Sequence, residues 1–438
     1  MRILVVSNLY PPVSPGVGEW RCQAISEALQ LRGHAVQVLT SNFGITREER
    51  GSEVERRLRL NGAFGVPAVT DFKGMRAIEW HNQRVLAETI EQFRPELLFI
   101  WSLRGLSKGL VLAARRLRIP VVYDVADDWM ITDLQSDPWL RWWNSARMPL
   151  KVQWQRRMLE WTGQRDKLER EIPTRATAVG GPGAQFFDGA AGGGEGGEVP
   201  GGFDFARIYF CSEYLRDRAR RAGLRVDHAE IIRPGVATEA YFAEPRPATT
   251  PTRQLLICTP LVKESGVLTA LTAVRQVCAN GIKLTATVCG KGPSDHVALL
   301  RSFVIEHRLP VEFVNHAPRS RESVQLFRTA DVFLHPEEWP EPCVLTPLEA
   351  MAAGQAVIGS TAGGGAEIFR HGENALAFEP GDAAAMAECI RSLVASPQLR
   401  HTLAETGQTE VVSRYNEVAN ADRVENYLRE SLESGKGA

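Results

Sequence analysis

Three things are scarce in this chain, and each scarcity excludes something. No apolar run approaches the ~20 residues needed to cross a bilayer as a helix. None of the seven cysteines (Cys22, Cys211, Cys258, Cys278, Cys289, Cys343 and Cys389) forms a C-x-x-C pair, and no histidine sits beside one at zinc spacing. No metal site is therefore expected, and scattered free thiols suit a reducing compartment. Net charge is also scarce: 51 basic against 52 acidic residues leave −1, with no bulk field to draw in nucleic acid. The first residues, MRILVVSNLYPP, carry one basic residue and too short an apolar run for a signal peptide. The expectation is a cytoplasmic protein. Its 438 residues, 44% hydrophobic and 24% charged, suit a globular protein of two or three domains.

The chain does hold a rhythm of short β-branched runs between longer helical patterns. Residues 3–6, 35–40, 97–101, 120–125, 207–211 and 231–233 read as strands. All are apolar on both faces, as buried parallel strands must be. The series restarts at 254–259 and continues through 283–289, 311–314, 331–335, 356–360 and 375–378. Two successive βα series predict an α/β protein of two doubly wound, Rossmann-like domains. The expected division is an amino-terminal domain over 1–233, a Pro-, Ala- and Thr-rich linker over 234–252 and a second domain over 253–414. A last helix, 415–438, is expected to return to the first domain. Two segments break the rhythm. Gly189–Gly202 reads as a flexible insertion with no means of building a core. Residues 139–170 hold five of the ten tryptophans (Trp139, Trp142, Trp143, Trp154 and Trp161) among eight basic residues. That stretch reads either as helices that turn their indoles inward or as a peripheral contact with a membrane surface.

Ligands of open α/β sheets bind beyond the carboxyl ends of the strands. The first strand runs into SNLYPPVSPGVGEW, where Gly16 and Gly18 permit close backbone approach or positive φ before a helix expected near Glu19. No G-x-G-x-x-G fingerprint is present. The most informative stretch is HPEEWPEPCVLTPLEAMAAG, residues 335–354. Thr346-Pro347-Leu348-Glu349 has the form of a capping box, which by itself gives Glu349 a structural task. The same stretch places the amides of Val344 to Thr346 at a helix N-terminus, a natural diphosphate site. Glu349 could then accept hydrogen bonds from a ribose diol, with Glu341 eight residues earlier facing a sugar.

This segment resembles the E-x7-E motif of retaining GT-B glycosyltransferases, and the chain is similar to glycosyltransferase family 4 over nearly its whole length. The first loop is similar to the family's PPxxGGxG. Arg32–Val36 resembles GHEV, Ile231–Val236 resembles VIPNGV and Gly290–Pro293 resembles GxGP. Ala330–Pro336 resembles ADVFVxP, and Ala362–Glu367 resembles VGGxPE. The resemblance implies two domains facing across a cleft and a nucleotide-diphosphate sugar, UDP- or GDP-linked, as donor. It implies that Glu341 and the amides of Cys343 and Val344 bind the sugar, and that those of Leu345 and Thr346 hold the diphosphate. Glu349 would bind the ribose, Gly290 and Asn315 would frame the base, and Gly16 would reach the distal phosphate. No metal or other cofactor is implied. The acceptor, whether glycan, lipid-linked or small molecule, is left open.

Three departures stand against the resemblance. Pro260 and Ser265 occupy the places of an Arg and a Lys that neutralise the leaving diphosphate, and Lys263 is the nearest substitute, with Lys291 behind it. Ala126 stands where many members have His, which leaves Asp127 and Asp128 to receive the acceptor hydroxyl, unless one merely caps a helix. Pro15 replaces the first glycine of the first-loop pair. The alternative reading is a degenerate, non-catalytic relative that binds a nucleotide or a partner protein, and a sugar-nucleotide epimerase is a third.

Overall fold

The computed structural model describes residues 1–13, 16–45, 53–139, 142, 149–161, 205–316 and 319–434. The glycine-rich insertion Gly189–Gly202 and residues 162–170 lie outside them, as do Trp143 and Pro15.

The chain divides into two units. The first comprises residues 1–211, 215–232 and 421–438; the second comprises 212–214 and 233–420. The first holds strands β1 (Arg2–Ser7), β2 (Ala35–Ser41), β3 (Val54–Leu58), β4 (Leu97–Ser102), β5 (Val121–Val125), β6 (Ile208–Phe210) and β7 (Glu230–Ile231). Their order across the sheet is β3-β2-β1-β4-β5-β6-β7, and every pairing is parallel. The second holds β8 (Gln254–Cys258), β9 (Thr285–Cys289), β10 (Val311–Val314), β11 (Val332–His335), β12 (Ala356–Ser360) and β13 (Leu376–Phe378). Their order is β10-β9-β8-β11-β12-β13, again all parallel. Both orders reverse direction once, between β1 and β4 and between β8 and β11, and those reversals are the switch points where such sheets leave a crevice.

The strands form where the sequence is apolar on both faces: Ile3 to Val6, Leu97 to Ile100 and Val357 with Ile358 are fully buried. β3 is the exception. Its VERRL lacks that signature, and Glu55, Arg56 and Arg57 are nonetheless buried, with Glu55 taking the Thr89 hydroxyl and Arg57 paired to Glu88. Helices begin at side-chain caps where the sequence offers them. Asp71 caps Phe72–Phe93 through the Gly74 amide, and Ser320 caps Arg321–Thr329 through the Ser323 amide.

The stretch 234–252 does not behave as a free linker. It carries a helical turn, Thr238–Tyr241, whose Tyr241 is buried edge-on against Phe327. Carbonyls of Arg246, Pro247 and Thr250 all accept from the buried Arg400 guanidinium. A single buried arginine gathers these carbonyls of the linker into the second unit. The final helix, Glu417–Ser434, begins in the second unit and sends Ala421, Val424 and Leu428 into the core of the first beside Ile3, Leu29 and Phe99.

The Trp-rich stretch splits. Trp139 is buried and stacks on Trp142 and Phe72. The helix Leu150–Trp161 instead leaves Leu150, Trp154, Met158 and Trp161 exposed along one face.

Candidate active site

In the second unit the switch point is walled by backbone that tolerates no side chain. A Cβ on Gly290 would lie 2.0 Å from the Thr259 carbonyl oxygen, and one on Gly292 would lie 1.9 Å from that of Leu261. The Thr259 amide donates to Cys289 at 3.1 Å, and that of Leu261 donates to Lys291 at 2.7 Å. Hence the G-K-G-P turn lies flat on the carboxyl end of β8. On the other side, Gly363 (φ 58°) approaches the Glu341 carbonyl so closely that a Cβ would stand 2.5 Å away, and the Gly364 amide donates to that carbonyl at 2.8 Å. These contacts fix the loop that carries Glu341.

Around Glu341 the side chains are acidic. Burial pushes its carboxyl well above the usual range, and the neighbouring Glu337 adds to the effect. Glu337 is buried, accepts the Thr259 hydroxyl and is itself pushed up to about 7 by burial. His335 Nε2 lies 3.8 Å from Glu341, but burial pushes that imidazole down to about 3. The ring is therefore neutral at pH 7 and gives Glu341 no ion pair.

Glu349 stands on the helix Leu345–Ala352, which follows this loop. That helix corrects the capping-box reading: its N-cap is Val344, with no side-chain cap, and Thr346 already lies inside the first turn. Glu349 instead accepts from Arg319, with Nε and a terminal guanidinium nitrogen both 3.1 Å from Oε1, and from the Tyr241 hydroxyl. Burial raises the Glu349 carboxyl, while Arg319 and Tyr241 pull the other way. Of the amides expected at a diphosphate, that of Leu345 donates to the Cys343 carbonyl at 3.1 Å. Cys343 and Val344 are buried, Thr346 is part-exposed, and Asn315 is exposed just beyond β10.

Lys263 lies exposed in a short 3-10 turn, Lys263–Ser265, and Lys291 is exposed as well. Ser265 turns inward, its hydroxyl on the Val262 carbonyl, and Pro260 is exposed. The turn is tied to the Glu341 loop by the amides of Glu338 and Trp339, both 3.0 Å from the Glu264 carbonyl.

Gly16, Asp127 and Asp128 belong to the first unit. Gly16 is the N-cap of Val17–Leu31, so the helix starts two residues before the expected Glu19. Its φ of −151° is extended, and a Cβ there would approach nothing closer than 3.7 Å. The fold itself thus sets no demand for glycine at this position. Asp127 accepts from the Ser102 hydroxyl at 3.0 Å and from the Trp129 amide at 3.0 Å; burial raises its carboxyl, against the pull of Arg104. Asp128 holds the N-cap position of Trp129–Ser136 but makes no side-chain cap, pairing instead with Arg104 and Arg218.

Sequence reasoning missed Arg319, Tyr241, Glu337 and Thr259. Thr259 and Glu337 follow strands β8 and β11, so their positions at carboxyl ends were available as a signal. Arg319 and Tyr241 reach Glu349 from remote segments, and no local pattern announces them.

Comparison with known proteins follows the same division. Residues 243–410 match the family described as Glycosyl transferases group 1, and residues 18–179 match the Glycosyl transferase 4-like domain. The glycogen synthase of Mycobacterium tuberculosis is 28% identical over 210 residues, which is 47% of this chain and 50% of that protein. The phosphatidyl-myo-inositol mannosyltransferase of Mycobacterium leprae is 28% identical over 152 residues, 35% of this chain and 38% of that one. The chain thus spans half the length, or less, of these curated relatives. Among solved structures, HepE of Anabaena in complex with UDP superposes with a TM-score of 0.64 at 16% identity, covering 98% of this chain and 100% of that one. Sucrose-phosphate synthase of Thermosynechococcus elongatus gives 0.66 at 16% identity, covering 99% of each chain. Those likenesses are of fold, and with two Rossmann-like sheets in one chain they establish the GT-B architecture. Two family matches that together take in about three quarters of the chain assign it plainly: it belongs to the group 1, glycosyltransferase 4-like family of GT-B glycosyltransferases.

Proposed function

We propose that this protein transfers a sugar from a nucleotide-diphosphate donor to an acceptor hydroxyl, with retention at the anomeric carbon. The observation that carries the reading is the placement of Glu341 and Glu349 on one loop and helix at the switch point of the second sheet. Glu349 receives the ribose diol, and Glu341, with the amides of Cys343 and Val344, receives the sugar. Gly290 and Asn315 frame the base, and the first turn of Leu345–Ala352 faces the diphosphate with the amide of Thr346, joined by that of Leu345 once it leaves the Cys343 carbonyl. Gly16, where a Cβ would meet nothing nearer than 3.7 Å, leaves room for a phosphate. The bond between the anomeric carbon and the phosphate oxygen breaks, the acceptor oxygen bonds on the same face, and the departing phosphate takes its proton. Asp127 and Asp128, held ready by Ser102 and Arg104, orient the acceptor. No metal is required. HepE, a neighbour in fold, binds UDP, which supports a nucleotide-diphosphate sugar, UDP- or GDP-linked, as the donor class. We place the reaction on the cytoplasmic side, with peripheral membrane contact through 139–170 bringing the enzyme to an acceptor at the surface.

One observation favours the non-catalytic alternative. The leaving-group side holds Pro260 and an inward Ser265 where cations are expected, and Glu337 adds a carboxyl nearby. Lys263, with Lys291 behind it, is the cation proposed to meet the diphosphate. The test is slow hydrolysis of UDP- and GDP-linked sugars with nucleotide titrations alongside. Glu349→Gln should weaken nucleotide binding ~10–100-fold, the range for hydrogen bonds to a charged group. Lys263→Ala should weaken nucleoside diphosphate much more than nucleoside. Binding without any hydrolysis or transfer establishes the nucleotide-binding alternative, and no nucleotide binding at all removes the transferase reading and leaves a partner protein as the alternative's ligand.

A further inference from the structure

We infer that Cys258 and Cys289 are a reversible dithiol–disulfide site, and that closing the disulfide shuts the nucleotide pocket of the second unit. All seven cysteines are free, and among the strand pairings of the described residues these two alone are register partners. They are the last residues of β8 and β9, neighbouring parallel strands, so their side chains leave the sheet on the same face. Adjacent strands lie ~4.8 Å apart, inside the ~4.4–6.8 Å between Cα atoms that a disulfide spans. Cys258 is part-exposed and Cys289 is buried.

The two thiols are neighbours in register and unequal. The Cys258 side holds the Cys289 thiol down to about 6, against burial. Cys258 is raised by its Cys289 neighbour, by burial and by the carboxylate of Glu349. A lowered thiol beside a resolving thiol is the pair that peroxide closes to a disulfide. The Cys289 thiolate attacks hydrogen peroxide; the O–O bond breaks and hydroxide leaves, giving a sulfenic acid. The Cys258 sulfur, losing its proton to solvent, then attacks the Cys289 sulfur; the S–O bond breaks and water leaves. Two thiols lose two hydrogens and two electrons, and one peroxide becomes two waters.

The pocket consequence rests on the donor-site reading above. The residues that follow the pair are Thr259 and Gly290, whose backbones meet where no Cβ fits. The charge of Glu349, the proposed ribose ligand, also acts on the Cys258 thiol. Bonding the two sulfurs re-orients both side chains just before Thr259 and Gly290, and so alters this wall of the pocket without moving the strands.

The experiment treats the intact protein with stoichiometric hydrogen peroxide, blocks the remaining thiols by alkylation and maps tryptic peptides without reductant. The expected product is a cross-link between peptides 254–263 and 284–291, two hydrogens lighter than their sum and reversed by dithiothreitol. In Cys258→Ser, Cys289 should stop at the sulfenic acid and be trapped by dimedone. UDP and GDP are titrated against the reduced, oxidised and re-reduced forms; affinity should fall at least about tenfold on oxidation and return on reduction. Peroxide consumed at other cysteines, or Cys289 oxidised further without a cross-link, overturns the site. A full cross-link with unchanged affinity overturns the link to the pocket. Reduced protein that binds neither nucleotide overturns the donor-site reading instead, and the peptide map still decides the dithiol.

Discussion

At Glu349 several effects compete on one carboxyl. Burial and the nearby Glu417 favour the proton; the Arg319 guanidinium and the Tyr241 hydroxyl favour the charge. A ribose diol donates hydrogen bonds, so it prefers the ionised carboxylate. Arg319 therefore acts as a positioning residue that keeps Glu349 charged and aimed. Its removal raises the Glu349 carboxyl further. Arg319→Met should then bind nucleoside diphosphate weakly near pH 6 and recover as the pH rises, whereas the wild type should change less over the same range. Arg319→Lys should restore much of the loss, since it returns the charge without the planar fork. Nucleotide titrations between pH 5.5 and 8.5 check this. A parallel pH profile in Arg319→Met and wild type would reduce Arg319 to packing, and the Glu349→Gln control would show separately whether Glu349 touches the ligand. Glu341 has no such counter-charge, because its neighbour His335 is held neutral.

Elements were read from the sequence where one physical signal dominates. The twelve strands expected are all found within a residue or two, because burial on both faces leaves an apolar run that nothing else mimics. β3 escaped because its Glu55, Arg56 and Arg57 are buried through side-chain partners on other elements, which a local pattern does not show. The helix Leu345–Ala352 was placed but mis-capped: T-P-L-E fits a capping box, yet the turn closes earlier and frees Glu349 for Arg319. The motif loops of the second unit were legible because glycines mark backbone contacts, as at Gly290 and Gly363. The Trp-rich stretch was legible only in part. Trp139 turns inward, while along Leu150–Trp161 the exposures are 82% for Leu150, 63% for Trp154, 37% for Met158 and 86% for Trp161. That spacing puts all four on one helical face, with Lys151 and Arg157 exposed beside them. Such a face fits the interface of an anionic bilayer. The protein should sediment with phosphatidylglycerol-containing vesicles and much less with pure phosphatidylcholine. Trp154→Ser with Trp161→Ser should abolish this at unchanged Tm, since neither indole is buried. Equal binding to both vesicles, or none, would remove the membrane reading.

Over the whole molecule, the chain leaves the first unit at Ile232 and returns to it at Ala421. The returning helix is a structural part of that first unit. Ala421, Val424 and Leu428 are fully buried among Ile3, Val5, Leu97 and Phe99. Its polar side is tied as well: Glu425 meets His34 at 2.9 Å, Asp422 meets Arg32 at 2.7 Å, and the Tyr427 hydroxyl donates to the Ile208 carbonyl at 2.9 Å. The ion pairs are part-exposed and add little, so the three apolar side chains carry the attachment. Truncating one buried leucine typically costs ~2–5 kcal/mol, a large fraction of the ~5–15 kcal/mol of an ordinary domain. Leu428→Ala should therefore loosen the first sheet selectively. Hydrogen exchange should accelerate at 2–7, 97–102 and 208–210, the strands under the helix, and stay unchanged at 254–258, 285–289 and 332–335. Nucleotide affinity, if it resides in the second unit, should be retained at temperatures below the new transition. Equal acceleration in both sheets would show that the chain unfolds as one cooperative body. Unchanged exchange in β1 and β4 would mean that Leu428 contributes no stability to the first core.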